Sequence, residues 1–136
     1  MLDTLWHDLT PAQRMTIRDT MSPRIDDFIT LYDEVHWALY NGNNWTPVLA
    51  EAAIFWAITL WHEDPRAEGI VARALRVLWL HDGFFQPDGT YREGLLEYSR
   101  VSLDSLFIIN HLLQRSLGQP LESIQWAELD AYADWT

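Results

Sequence analysis

Pro47-Val48-Leu49-Ala50-Glu51-Ala52-Ala53-Ile54-Phe55-Trp56-Ala57-Ile58-Thr59-Leu60-Trp61-His62 is the stretch on which the fold turns. Its side chains are apolar nearly all the way round a 3.6-residue period, and such a helix has to be surrounded by protein. Thr46-Pro47 ahead of it reads as a helix start, a hydroxyl cap followed by Pro at the first helical position, where the missing N–H costs nothing. The same pairing recurs at Thr10-Pro11, Ser22-Pro23 and Asp64-Pro65. Thr10 and Gln13 also fit a reciprocal capping box. Gly83 and Gly118 sit where C-terminal glycines belong. These signals divide the chain into helices over 11–20, 23–40, 47–62, 65–81, 93–117 and 121–133.

Helix 65–81 is more one-sided. Ile70, Val71, Ala74, Leu75, Val77 and Leu78 point inward, with Arg66, Arg73 and Arg76 kept wet. Helix 93–117 carries Val101, Leu103, Leu106, Phe107, Ile109, Leu112 and Leu113. No stretch joins two-residue alternation to β-branched enrichment, so no strand is expected. Short connections make antiparallel hairpins the natural arrangement. The expectation is one all-α domain over 1–136.

Composition narrows the function classes. At 136 residues the chain can bury a real core, and 49% of it is apolar, with eight Trp. Trp rings build cores, but they also line carbohydrate clefts and protein interfaces. Cys is absent, so disulfides and thiolate metal sites are excluded and redox chemistry says nothing of the compartment. The longest uncharged apolar run, Ala52 to Trp61, is about half of the roughly 20 residues that span a membrane. Met1-Leu2-Asp3-Thr4 carries no basic leader signal. Twenty acids against nine bases give a formal charge of -11, which argues against nucleic-acid or anionic-membrane binding and allows a basic protein partner.

Two loops stand apart from this helical punctuation. One is Asn41-Gly42-Asn43-Asn44-Trp45, before the most apolar helix. The other is Gln86-Pro87-Asp88-Gly89-Thr90-Tyr91-Arg92-Glu93-Gly94, before the longest. Pro-Asp-Gly alone is a turn signal. In order, Asn43-Asn44-Trp45-Thr46-Pro47-Val48, Glu63-Asp64-Pro65, the Pro87 to Gly94 loop and Tyr98 resemble the helical domain of heparinase II/III-like and alginate lyases. Asp8-Leu9-Thr10-Pro11 also looks similar, so the resemblance spans most of the chain.

The resemblance implies part of an (α/α) toroid, about three helical hairpins, acting on uronic-acid-containing polysaccharide by β-elimination. Such a reaction needs the carboxylate beside the weakly acidic C5 proton neutralised, a base for that proton and an acid for the leaving oxygen. By resemblance Asn44 is the neutraliser and Tyr98 the nearest match to the catalytic tyrosine. Asn43, Trp45, Tyr91, Glu93 and Trp37 would shape the substrate site. Two positions depart from the pattern. Trp45 stands where family members often carry His. Tyr98 falls one residue, about 100° of helix, beyond the expected place. A fragment or degenerate form that does not cleave alone is therefore expected.

His7, His36, His62, His81 and His111 form no ligand pattern, Glu97 and Arg100 read as a helix-surface pair, and no cofactor or metal is expected. The alternative from another class is a small acidic helical protein that binds and inhibits a protein partner, as viral inhibitors and antitoxin-like proteins do.

Overall fold

A computed structural model of the chain describes residues 6–81, 85–88, 90–93 and 97–121. Among them the fold is all-α. One turn of 3-10 helix, Trp6–Asp8, is followed by α1 (Pro11–Asp33), α2 (Trp37–Tyr40), α3 (Trp45–Thr59), α4 (Ala67–His81) and α5 (Glu97–Leu117). No strand is present among the described residues; Phe85 and Tyr91 form an isolated antiparallel bridge. The expected helix 121–133 lies outside the described residues, as does Gly83. No described helix is long and apolar enough to cross a membrane.

The apolar stretch is the centre of the fold. α3 packs against each of the other four helices. Ala50, Ile54 and Ala57 are wholly buried and Trp56 nearly so, whereas Phe55 and Ile58 are half-buried. It is not, however, the most buried helix in proportion, since α3 and α4 each bury seven of fifteen residues. The buried stripe of α5 also differs from the expected one. It runs Ser99, Ser102, Ser105, Leu106, Ile109, Leu112 and Leu113, leaving Val101 and Phe107 exposed. Three small serines occupy the inward positions of the first turns, so polarity hid a stripe whose period is regular.

The helix at 47–62 shifts to Trp45–Thr59 and that at 65–81 starts at Ala67, while two larger differences each have a local reason. Ser22-Pro23 starts no helix, because α1 runs straight through Pro23. Proline there removes the bond to the carbonyl of Asp19, four residues back. Asp19 and Pro23 are both exposed, so water can serve that carbonyl. Ser22 Oγ accepts from Arg66 instead of capping (2.9 Å). The break comes later, at Val35, which adopts φ 54. There the N–H of His36 donates to the carbonyl of Leu31 and that of Val35 to Tyr32, the paired closure usual with glycine. A β-branched residue in that region gives no sequence signal for a helix end. The capping box at Thr10 and Gln13 forms as read, and Gly118 adopts φ 68 just past α5.

Charged side chains tie the surface together. Arg66 does not stay wet. It pairs with Asp64 (2.8 Å), bonds Asp26 and reaches Ser22. Its hydrogen bond holds the Asp64 carboxyl below the usual carboxylate range. Arg100 pairs with Asp104 at 3.8 Å rather than with Glu97. Exposed pairs of this kind each contribute about 1 kcal/mol or less.

Candidate functional site

The first turn of a helix leaves N–H groups without intrahelical partners, and α3 is no exception. Thr46 was expected to cap it ahead of Pro47; instead the helix begins two residues earlier, at Trp45. The Thr46 hydroxyl is buried and donates to the carbonyls of Ala38 and Leu39. Capping falls to Asn43, whose Oδ1 accepts from Trp45 N–H (2.9 Å) and whose carbonyl accepts from Thr46 N–H (3.1 Å). The Asn43 amide Nδ2 donates to the carbonyl of Trp37 (3.3 Å). Asn43 is thus spent on holding α2 to the start of α3.

The remaining donor, Asn44 N–H, is taken by Glu93 Oε2 at 2.6 Å. A carboxylate at a helix N-terminus is favoured by the helix dipole as well as by the bond. This contact brings together the two loops that the sequence singled out, and it places Glu93 beside Asn44. The Asn44 side-chain amide itself makes no hydrogen bond among the described residues. Between the loops lies a cleft of about 690 Å3 walled by Tyr40, Asn41, Gly42, Asn43, Arg92 and Glu93. Trp37 and Trp45 are exposed, at 53% and 51%. Both are bound through their backbones to Asn43, so the loop geometry fixes their spacing.

Tyr91 sits beneath this surface rather than on it. Its ring is 3% exposed and stacks at a tilt on Phe85, with centroids 4.9 Å apart. Its hydroxyl shares a hydrogen bond with Ser102 Oγ (2.7 Å), pinning the loop to α5. Burial pushes the phenol up to about 12, with the Ser102 bond opposing. Gln86 N–H donates to the Thr90 carbonyl (2.8 Å) and Asp88 accepts from both the N–H and the hydroxyl of Thr90. These bonds hold the Asp88 carboxyl below its usual range. Tyr91→Phe leaves the buried Ser102 hydroxyl without its partner and is expected to cost about 1–2 kcal/mol of unfolding free energy in urea titration; no change would show that the loop is not anchored there.

Tyr98 stands in the first turn of α5, 55% exposed, and is not among the residues that wall the cleft. Tyr40, Asn41, Gly42 and Arg92 do wall it and had not been named as site residues. For Asn41, Gly42 and Arg92 the signal was their place in the two marked loops. For Tyr40 no such signal existed. Its hydroxyl donates to the carbonyl of Tyr32 (3.1 Å), and burial raises its titration above the ordinary phenol value. Among the described residues no group of three or more His, Asp or Glu side chains could hold a metal ion. No family model, curated protein or solved structure matches this chain.

Proposed function

We propose that this chain is a polysaccharide lyase-like helical domain, part of or derived from an (α/α) toroid, that holds a uronic-acid-containing polysaccharide at the paired loops and does not cleave it unaided. The observation that carries the reading is the Glu93 to Asn44 bond. It gathers two loops of lyase-like sequence around one polar cleft; Asn44, whose amide is unspent, and the exposed Trp37 and Trp45 do not line that cleft but adjoin or bond its wall residue Asn43. An unspent amide can donate to a uronate carboxylate without adding charge. Trp37 and Trp45 offer flat apolar faces to sugar rings. Elimination also needs a base and an acid within reach of the same ring. With Trp45 in the place of a histidine and Tyr98 outside the cleft wall, the chain supplies the grip and not the full chemistry.

The test is binding of alginate and heparan oligosaccharides by calorimetry, beside an ultraviolet assay for the unsaturated product. Trp45→Ala and Trp37→Ala, both at exposed positions, should each weaken binding roughly tenfold, about 1.4 kcal/mol. Product formation should stay at background. Binding that neither variant changes would sink the site; turnover abolished by Tyr98→Phe would show a working lyase instead.

A second reading is an acidic helical protein that inhibits a protein partner. Trp79 and Leu80 on α4 and Val101 and Ile108 on α5 favour it, all large apolar side chains left at the surface. Val101→Asp with Ile108→Asp would abolish such an interaction while leaving oligosaccharide binding intact.

A further inference from the structure

At the far end of α3, some 22 Å from the loop cleft by its fifteen-residue length, lies a second concavity of about 510 Å3. It falls within the range of roughly 300–1,000 Å3 usual for small-molecule sites. Trp6, His7, Thr59, Trp61, His62, Glu63 and Ser116 supply its polar and aromatic lining, and Ile58 and Leu117 its aliphatic part. The lining is therefore mixed, as a ligand with one apolar face and a polar rim requires.

The polar groups divide into a fixed one and several unspent ones. Glu63 is held in place: Oε1 accepts from the Trp6 indole N–H (2.9 Å) and Oε2 from Arg18. A carboxylate has about four acceptor positions, so two remain for a ligand hydroxyl. The side chains of His7, His62 and Ser116 and the indole N–H of Trp61 make no hydrogen bond among the described residues. Two imidazoles, a hydroxyl and an indole N–H thus face the concavity with donors and acceptors to spare, beside a half-buried Trp61 ring.

Charge selects among polar ligands. The concavity opens on the C-terminal ends of α3 and α5, where the helix dipoles place partial negative charge. Glu63 adds another acceptor. The neighbouring guanidiniums are committed, Arg18 to Glu63 and Arg14 to the carbonyls of Leu9 and His7. An anion is poorly served there, and a ligand without polar hydrogens would leave the imidazoles and the spare acceptor positions of Glu63 to water.

We infer that this concavity is a binding site for an uncharged saccharide, one ring stacked on Trp61 with its hydroxyls on Glu63, His7, His62 and Ser116. The site is separate from the uronate cleft and does not depend on it.

The probes are the uncharged disaccharides cellobiose, maltose and N,N′-diacetylchitobiose, with a glucuronate-containing disaccharide as the charged comparison. Binding is read by calorimetry and by the indole N–H signals in NMR. At least one uncharged disaccharide should bind and shift the Trp61 indole signal. Trp61→Ala and, at the exposed rim, Ser116→Arg should weaken it by roughly tenfold or more. Trp37→Ala and Trp45→Ala should leave it unchanged, so failure here and failure at the cleft are told apart. Circular dichroism of Ser116→Arg confirms that the fold is kept. Absence of binding by all three, binding indifferent to both variants, or a glucuronate-containing disaccharide that shifts the Trp61 indole signal at lower concentration than any uncharged one would each overturn the assignment.

Discussion

Ile54→Ala is expected to lower the free energy of unfolding by about 2–5 kcal/mol, a large part of the roughly 5–15 kcal/mol that a domain of this size has. Ile54 has no solvent exposure and lies midway along α3, the helix that every other described helix touches. The removed carbons lose their transfer free energy, and the cavity they leave can close only if helices on several sides move together. Phe55→Ala gives the comparison. Its side chain is larger but half-buried, so water enters part of the space and the loss per carbon is smaller. Urea titrations at equal slope would measure both. A loss under about 1 kcal/mol for Ile54→Ala would mean that the centre of the core lies elsewhere.

Apolar periodicity alone was enough to make the 47–62 stretch the centre of an all-helical fold, because a helix with no wet face has no other place to go. The ends of helices were legible only where the capping atoms lie next to each other in sequence. Thr10 and Gln13 are three residues apart and formed the expected pair. Thr46 and Ser22 carry the same local signal, but their hydroxyls are drawn to partners on other elements, Ala38 and Leu39 for one and Arg66 for the other. Tertiary bonds decided what local chemistry left undetermined. The inward serines of α5 escaped notice because a hydrophobic pattern weighs side chains by polarity, while close packing also selects them by size.

Acidification from pH 7.5 to about 4 should remove about 3 kcal/mol of stability through His81 alone. Burial at the end of α4 lowers its titration from 6.5 to about 4. Above pH 6.5 the ring is neutral in both the folded and the unfolded chain and contributes no pH dependence. Between 6.5 and 4 the unfolded chain takes up a proton that the folded chain refuses, so stability falls as pH falls through that window. Below about 4 both forms are protonated and the loss is complete. Asp64, held low by Arg66, also favours the unfolded chain in acid, so the histidine has to be isolated by difference. His81→Leu removes the titrating group and keeps the volume near that of the ring. Denaturant titrations between pH 7.5 and 4.5 should show a steeper fall for the native sequence than for the variant. Parallel curves would refute the assignment to His81.

The candidate site was legible to the extent that two loops carried unusual residue runs, Asn41 to Trp45 and Gln86 to Gly94. That Glu93 reaches Asn44 N–H could not be read, because no sequence rule pairs residues that far apart. Tyr91 shows the opposite limit. Its place in a marked loop pointed outward, yet the large ring was drawn under the loop by Phe85 and Ser102. The second concavity left no trace in the sequence at all. His7, His62 and Ser116 belong to segments that meet only when α3 and α5 lie side by side.

The Glu93 cap has a consequence for the order in which the chain is assembled. Its two partners are separated by 49 positions, and α4 lies between them. Asn43, a sequence neighbour, caps the first turn of α3 as soon as it forms; the Asn44 N–H just ahead of it has to wait for Glu93. As the chain emerges from synthesis or refolds, the backbone donor at the N-cap of its central helix lacks its protein acceptor until a segment well beyond α4 arrives and docks. The bond that joins the two loops is therefore among the last to form, and the cleft is finished only when the body of the domain is.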